Sequence, residues 1–416
     1  MKDIVVGVDI GSHKIAVVIG EVRQNETFII GSGVAQSVGI RRGEITDLTQ
    51  LKLALSETIL TAERMSGYEI NRAYVNLSDG FTSSLSSEGA IGISGQRSIN
   101  PLDLERVLEN AKAIAIPHNA EIIHVLPRSY SLDGREHLKS PLGMHGFRLE
   151  LEAHIVTAQS SAIANLREAL SGANVHVDRF LLSGLASASS VLSEEEATIG
   201  ALVIDFGAGT TDLALFIDGA VWHTAVIPMG SAFVTQDISY FLRTPFAVAE
   251  QVKLRYGHTL EEAIDPADTF VIQSVGEGEP QEVRRADLAM VSEARVREII
   301  ECVKRELNRS GLKRMLRAGV ILTGGGSKLA GFRDVVSQML EMPVRTASPR
   351  DLLGASEVVQ GPEFSTSIGL LRMGLELSIE QETTHSPNGD VSILPRFGMM
   401  IQGMLRKLLP DSEQNL

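Results

Sequence analysis

Short apolar runs, each closed by an acid and a glycine turn, occur twice in this chain. In VVGVDIGSHKIAVVIG (Val5 to Gly20) a strand ends at Asp9, turns through Gly11, Ser12, His13 and Lys14, and resumes as a second strand. In GALVIDFGAGTTDLALF (Gly200 to Phe216) a strand ends at Asp205, turns through Gly207, Ala208, Gly209, Thr210 and Thr211, and resumes. Glycines between apolar runs mark a tight hairpin. A bare hairpin leaves the acid unexplained, because an ionised carboxylate at the end of a core strand is costly unless it meets a cation, water or donors. Laying Asp9 on Asp205 puts Gly11 on Gly207, which predicts two similar half-domains whose hairpins face each other across a cleft.

The rest of the pattern sets out the organisation. Residues 1–79 begin a first lobe, with LTQLKLALSETILTAERMSG as its helix. Residues 80–159 break the alternation: a helix, PLDLERVLENAKAI, and strands in EIIHVLPRSYSL and FRLELEAHIVTA predict an inserted small α+β subdomain. The helix SSAIANLREALSGA and the strand VHVDRFLLSG return to the first lobe over 160–199. A second lobe opens at 200–240 and carries an outer, charged, helical subdomain at 241–311, with the loop SVGEGEPQEVRR and the helix SEARVREIIECVKREL. It resumes at 312–355, and a closing helix at 356–377 returns to the first lobe. Beyond it, 378–392 is polar with Pro387, Asn388 and Gly389 and reads as a flexible linker, and 393–410 repeats apolar residues at helical spacing. The fold class is α/β, two-lobed, with duplicated half-domains.

The hairpins suit a nucleoside triphosphate. Gly207, Ala208, Gly209, Thr210 and Thr211 can turn backbone N–H groups toward phosphate, Ser12, Thr210 and Thr211 offer hydroxyls, and Lys14 offers a cation. Asp9 and Asp205 would hold the waters of a magnesium ion, which keeps much of its hydration shell. A third glycine cluster, VILTGGGSKLAG, follows another apolar strand; Gly324, Gly325 and Gly326 offer bare backbone against which adenine or ribose could pack, with Ser327 beside them, whereas a lone loop of this kind would be a strand-to-helix turn with Ser327 as the helix cap. No Walker loop occurs.

Composition narrows the classes. A chain of 416 residues with 44% hydrophobic content supports several domains with sizeable cores. The single Cys302 excludes internal disulfides and fits a helix face in a reducing compartment. A net charge of −14 without a basic, aromatic-interleaved stripe argues against nucleic acid as a partner. The ten histidines show no metal-ligand spacing. MKDIVVGVDIGS reaches an acid and a glycine turn before any apolar segment of signal-peptide length, and no stretch is long enough to span a bilayer, so a cytoplasmic body is expected.

With DIGS, DFGAGTTD and TGGGS in this order, the chain resembles the actin, sugar-kinase and heat-shock-chaperone superfamily, and the fold expected is the actin-like two-lobed ATPase fold. FAVAEQVKLRYG resembles the superfamily helix in which an acid meets the ribose and a lysine the adenine, which implies those roles for Glu250 and Lys253. FSTSIGLLRMGLE looks like the second connecting helix. Within the superfamily HVLPRSYSLDG, SPLGMHGFRLE and GLASASSVLSEEE are similar to the FtsA family of bacterial cell-division proteins, and the likeness covers nearly the whole chain. It implies an ATP- and magnesium-binding adaptor that polymerises into actin-like filaments and tethers FtsZ filaments to the inner membrane surface at the septum. The inserted subdomain would contact neighbouring copies and other division proteins; without the resemblance it reads equally as a structural excursion of the first lobe. On the outer subdomain the resemblance puts Arg295 and Glu298 against the FtsZ tail; without it, a helix of alternating charge is a solvated face.

In LPRFGMMIQGMLRKLLPD the residues Phe397, Met400, Ile401, Met404, Leu405 and Leu408 form an apolar stripe, with Arg396, Arg406 and Lys407 basic in an acidic protein. Such a stripe is ordinarily core. Standing beyond a linker, it fits a helix lying in the headgroup plane of anionic phospholipid. Where superfamily ATPases carry a water-positioning Glu or Gln, this sequence has Ser183 and Gly184, which implies slow turnover at most and no catalytic residue. The rival readings are a sugar-kinase-type phosphotransferase or active ATPase, and a pilus-assembly ATP-binding protein.

Overall fold

A computed structural model describes residues 4–23, 26–95, 97–272, 280–355 and 357–383. Two sheets share one topology. In the first lobe the strands Ile4–Ile10, Lys14–Arg23 and Glu26–Gln36 form an antiparallel meander, and Arg72–Leu77 and His176–Leu182 add in parallel on the far side of Ile4–Ile10. In the second lobe Ala201–Phe206, Thr211–Ile217 and Ala220–Ile227 form the meander, and Gly319–Thr323 and Val344–Thr346 add in parallel beside Ala201–Phe206. The order is the same strand for strand, apart from the short strand Leu353–Gly354 at the edge of the first sheet. The apolar runs are continuous rather than alternating because both faces of each sheet are covered; every residue of Ala201–Phe206 and Thr211–Ile217 is buried.

Helices supply the covers. Leu48–Ser66 begins on the Asp47 side chain, which accepts from Gln50 N at 3.0 Å, and stops at Gly67 in the left-handed region. It lays Leu51, Leu55 and Ile59 into the outer core of the first lobe. The second lobe is covered by Ser231–Leu242, Phe246–Tyr256 and the long Arg285–Ser310. Between the lobes Ser183–Val191 crosses Ser365–Thr383 so closely that a Cβ on Gly369 would lie 1.7 Å from the Ala186 carbonyl oxygen. Glycine is required there by contact, not by backbone angle.

The half-domains differ in where the chain departs. In the first lobe it leaves between the fourth and fifth strands to build a separate sheet, Ser83–Gly92, Arg148–Gln159, Ala120–Leu132 and Arg135–Leu138, backed by the helix Pro101–Lys112 around its own core. That helix opens on a capping box between Asn100 and Asp103. The Arg97 guanidinium beside Asp103 holds its carboxyl down at about 2.

Two expectations are corrected. SVGEGEPQEVRR reads as a loop, yet Gln281–Arg284 pairs antiparallel with Thr269–Ile272, a strand that the charged residues hide from a hydrophobic reading. The closing helix runs to Thr383, past the expected linker start at 378, because Glu380, Gln381 and Glu382 are good helix formers and the first breaker is Pro387. The rest of the expected linker, and the terminal stripe Phe397, Met400, Ile401, Met404, Leu405 and Leu408 with Arg406 and Lys407, lie outside the described residues.

Candidate nucleotide-binding site

Parallel strands of an open α/β sheet present ligand loops at their carboxyl ends, and the residues singled out by the sequence lie there in both lobes. Each hairpin is closed by the same bond: Gly11 N donates to Lys14 O and Gly207 N to Thr210 O, both at 3.0 Å. The two turns meet face to face. A Cβ on Gly209 would lie 2.2 Å from Ser12 Oγ, which itself accepts from Gly43 N at 3.0 Å. The third loop closes the group from the side, since a Cβ on Gly324, at φ +83°, would lie 2.2 Å from Asp205 Oδ1, and one on Gly326 would strike the Phe206 ring.

Charge is concentrated where these loops converge. Lys14 Nζ donates to Asp9 Oδ2 at 2.9 Å and stands 4.9 Å from the centre of the Phe364 ring. Asp205 is buried and accepts from Ser187 Oγ and, at 2.9 Å, from Thr366 Oγ1, both on the connecting helices. Burial raises its pKa; the two hydroxyls and Lys14 oppose the rise, and the charge on Asp9 adds to it. Directly across the hairpin from Asp205 stands Asp212. Burial, then Asp205, pushes Asp212 up to about 8. Its Oδ2 accepts from Ser78 Oγ at 2.9 Å and Thr210 Oγ1 at 3.0 Å, while Oδ1 is buried without a partner among the described residues.

Asp212 escaped the sequence reading. The signal was there: aligning the hairpins pairs Asp212 with Ala16, so one copy carries a second acid inside an apolar strand. A partnerless buried carboxylate oxygen within the field of Asp205 and Asp9 fits a cation. Among the described residues no three acidic, histidine or cysteine side chains converge to ligate a metal directly.

Glu250 and Lys253 are brought to the same place through the backbone. Ser231 N and Ala232 N, at the start of Ser231–Leu242, donate to Gly207 O and Ala208 O at 2.9 Å. Lys253 Nζ pairs with Glu250 at 2.8 Å, donates to Thr235 Oγ1 at 2.8 Å and reaches Ser231 O at 3.3 Å. Burial lowers the Lys253 pKa, and Glu250 resists.

Several predicted groups are otherwise engaged. The Thr211 hydroxyl donates to Met229 O at 2.7 Å on a fully buried strand residue and does not point into the cleft. Ser327 does not cap the next helix, which starts after Gly331; its hydroxyl closes the third loop onto Gly324 O at 2.7 Å. Gly325 lies beside Glu363, which pairs with Lys328, and His13 is exposed at the tip of the first hairpin. Ser183 is buried against Asn76 Nδ2 and Leu77 O, and a Cβ on Gly184 would touch that of Asp212 at 3.4 Å. Away from the cleft, Arg295 grips Asp237 with two bonds of 2.6 and 3.0 Å and also pairs with Glu298, which is 59% exposed.

Two family models match the chain: "Cell division protein FtsA" over residues 202–369 and "SHS2 domain inserted in FTSA" over residues 80–157. Its relatives include the cell division protein FtsA of Pseudomonas aeruginosa, 37% identical with 96% of this chain and 97% of that protein covered. They include also FtsA of Escherichia coli, 32% identical with 98% and 97% covered. The chain belongs to the FtsA family of cell division proteins. Solved structures show the fold from further off. The PilM–PilN type IV pilus biogenesis complex aligns with a TM-score of 0.64 at 19% identity, covering 89% of this chain and 98% of that one. MreB5 of Spiroplasma citri bound to ADP aligns with a TM-score of 0.56 at 14% identity, covering 92% and 99%. The actin-like two-lobed architecture is thus shared, and the pilus likeness is one of fold alone. Membership of the FtsA family does not favour the kinase and pilus rivals. Among the described residues of this FtsA family member no helix is long and apolar enough to cross a membrane.

Proposed function

We propose that this division protein binds ATP with magnesium between its lobes, polymerises, and tethers FtsZ filaments to the membrane at the septum. The observation that carries the nucleotide reading is the convergence of three glycine loops on Asp9, Asp205 and Asp212. Lys14 and the turn amides would take the phosphates, Asp9 and Asp205 would hold a hydrated magnesium through its waters, and Glu250 and Lys253 would face the nucleoside with Gly324 to Gly326. The bound cation would supply charge neutralisation. No carboxylate or amide stands at Ser183 and Gly184 to orient water, so the nucleotide acts mainly as an assembly ligand with slow turnover.

The adaptor role is supported by the family and by two features of the chain. Arg295 and Glu298 share a face of Arg285–Ser310 and offer both charges to an FtsZ tail. The terminal stripe offers the inner membrane an apolar face edged by Arg396, Arg406 and Lys407. One such helix binds reversibly, and many in a polymer bind firmly. Other division proteins would dock on the inserted subdomain. Sedimentation with anionic vesicles and FtsZ, with and without ATP and magnesium, tests the reading. FtsZ should pellet only with both vesicles and the full chain, and more with ATP; FtsZ left in the supernatant would overturn it.

A further inference from the structure

The inserted subdomain enters and leaves through the first lobe, yet its side chains fasten it to the second. Ser84 Oγ donates to Thr224 O at 2.8 Å, and His154 Nε2 lies 2.9 Å from Thr224 Oγ1. Arg128, its side chain 6% exposed, reaches Val221 O at 3.3 Å, bonds Trp222 O, and holds its guanidinium 5.3 Å from the centre of the Trp222 ring. Glu152 and Ser86, both of the inserted sheet, fix that guanidinium from behind at 2.8 and 2.7 Å. A Cβ on Gly80 would meet Pro228 at 3.0 Å.

All these second-lobe partners but Pro228 lie on Ala220–Ile227, the edge strand of the second sheet, where Trp222 sits in a register shift. Edge carbonyls need donors, and a planar fork anchored from behind supplies them without strand pairing. At its root the segment leading into the inserted sheet is held by the second lobe as well: Ser78 Oγ donates to Thr210 Oγ1 and Asp212 Oδ2, both at 2.9 Å. Only the five residues 79–83 thus lie between a contact with the second phosphate hairpin and the Ser84 contact with the edge strand.

We propose that Arg128 and its neighbours brace the inserted subdomain to the second lobe, so that a change in the angle between the lobes turns this subdomain relative to the first lobe. The nucleotide-dependent half of this rests on the ATP reading above. Loss of one charge-assisted, buried contact frees backbone amides to exchange.

Trp222 is the only tryptophan, so its emission reports the brace directly. The full chain, Arg128→Ala and the milder Ser84→Ala are compared by tryptophan emission and by hydrogen exchange, first without nucleotide. Both variants should speed exchange in Trp222 to Thr224 and in Ala120–Leu132, by on the order of tenfold or more for Arg128→Ala, while Ala201–Phe206 stays protected. Arg128→Ala should also shift the Trp222 emission. Unchanged exchange and emission in folded variants would overturn the brace. ATP and magnesium are then added, with affinity measured by calorimetry. The parent should show a nucleotide-dependent change in Ala120–Leu132 that Arg128→Ala loses at equal affinity, and its persistence in the variant would overturn the coupling. A parent that binds no ATP would sink the nucleotide reading and its coupling, and leave the brace decided by the first comparison.

Discussion

The ring of His124 offers a measurable test of how the inserted subdomain sits on the first lobe. Its Nε2 accepts from Leu182 N at 2.9 Å, and the residue is 1% exposed, so the site takes only the neutral ring. Burial, and then the charge of Arg179, lowers its pKa to about 3, against roughly 6.5 in an unfolded chain. A histidine with a depressed folded pKa binds more protons when unfolded, so stability present at pH 7 is lost as pH falls through 6.5 toward 3. At pH 5 the loss from this group is about 2 kcal/mol.

Other groups titrate in the same window with different signs. His154, lowered mainly by burial, adds to the loss. Asp212 opposes it: a carboxyl whose folded pKa is raised to about 8 loses stability as pH rises, so acidification from 7 to 5 restores about 2 to 3 kcal/mol. A pH curve of the parent alone therefore mixes opposing contributions. His124→Gln isolates one of them, because Gln Oε1 can accept from Leu182 N and does not titrate, and every other group is common to both proteins. Urea unfolding without nucleotide should show the stability of the parent relative to this variant falling by about 2 kcal/mol between pH 7 and pH 5. Parallel pH dependences would refute the neutral, buried His124.

Gly209→Val puts side-chain atoms where Ser12 Oγ already stands and should cut ATP affinity at least about tenfold by calorimetry in a folded protein; equal affinity would speak against the facing hairpins. Gly369→Ala should cost about 1 to 3 kcal/mol in urea unfolding, because its Cβ meets the Ala186 carbonyl. Arg295→Ala and Glu298→Ala should each weaken an FtsZ tail peptide by around 1 kcal/mol or more by fluorescence anisotropy, and parental binding by both would discard that surface. Ending the chain at Asp390 should abolish flotation with anionic vesicles and leave the melting temperature and ATP binding intact; an unfolded product would mean that the stripe is core.

What the sequence disclosed was whatever repeats or is punctuated by glycine. Both hairpins, the third loop and most helices were legible because Asp9, Gly11, Asp205, Gly207 and Gly324 stand out against apolar runs. The hairpin Thr269–Ile272 with Gln281–Arg284 was hidden, since its buried face is only Phe270, Ile272 and Val283, and the second strand carries a single apolar residue among polar and charged ones. Asp212 was hidden for another reason. Its importance lies in standing opposite Asp205 across the turn, a relation of register, not of composition. The brace is invisible for the same reason: Arg128 is one basic residue among many until folding sets it against Trp222.

The placement of the two departures from the duplicated sheet explains why one serves the cleft and the other does not. In the second lobe the chain departs after the third strand, and its helices return Lys253 to Ser231 O and Ser231 N to Gly207 O, so this subdomain stands against the second hairpin and would wall the proposed nucleotide site. In the first lobe the departure comes one strand later, after Leu77, and leads to the edge strand of the opposite sheet, where Ser84 meets Thr224. Ser78, at the root of that departure, still touches the acidic group through Asp212. On the proposed reading the labour divides with the topology: one excursion would sense the ligand, and the other would carry the resulting change in lobe angle outward to the surface.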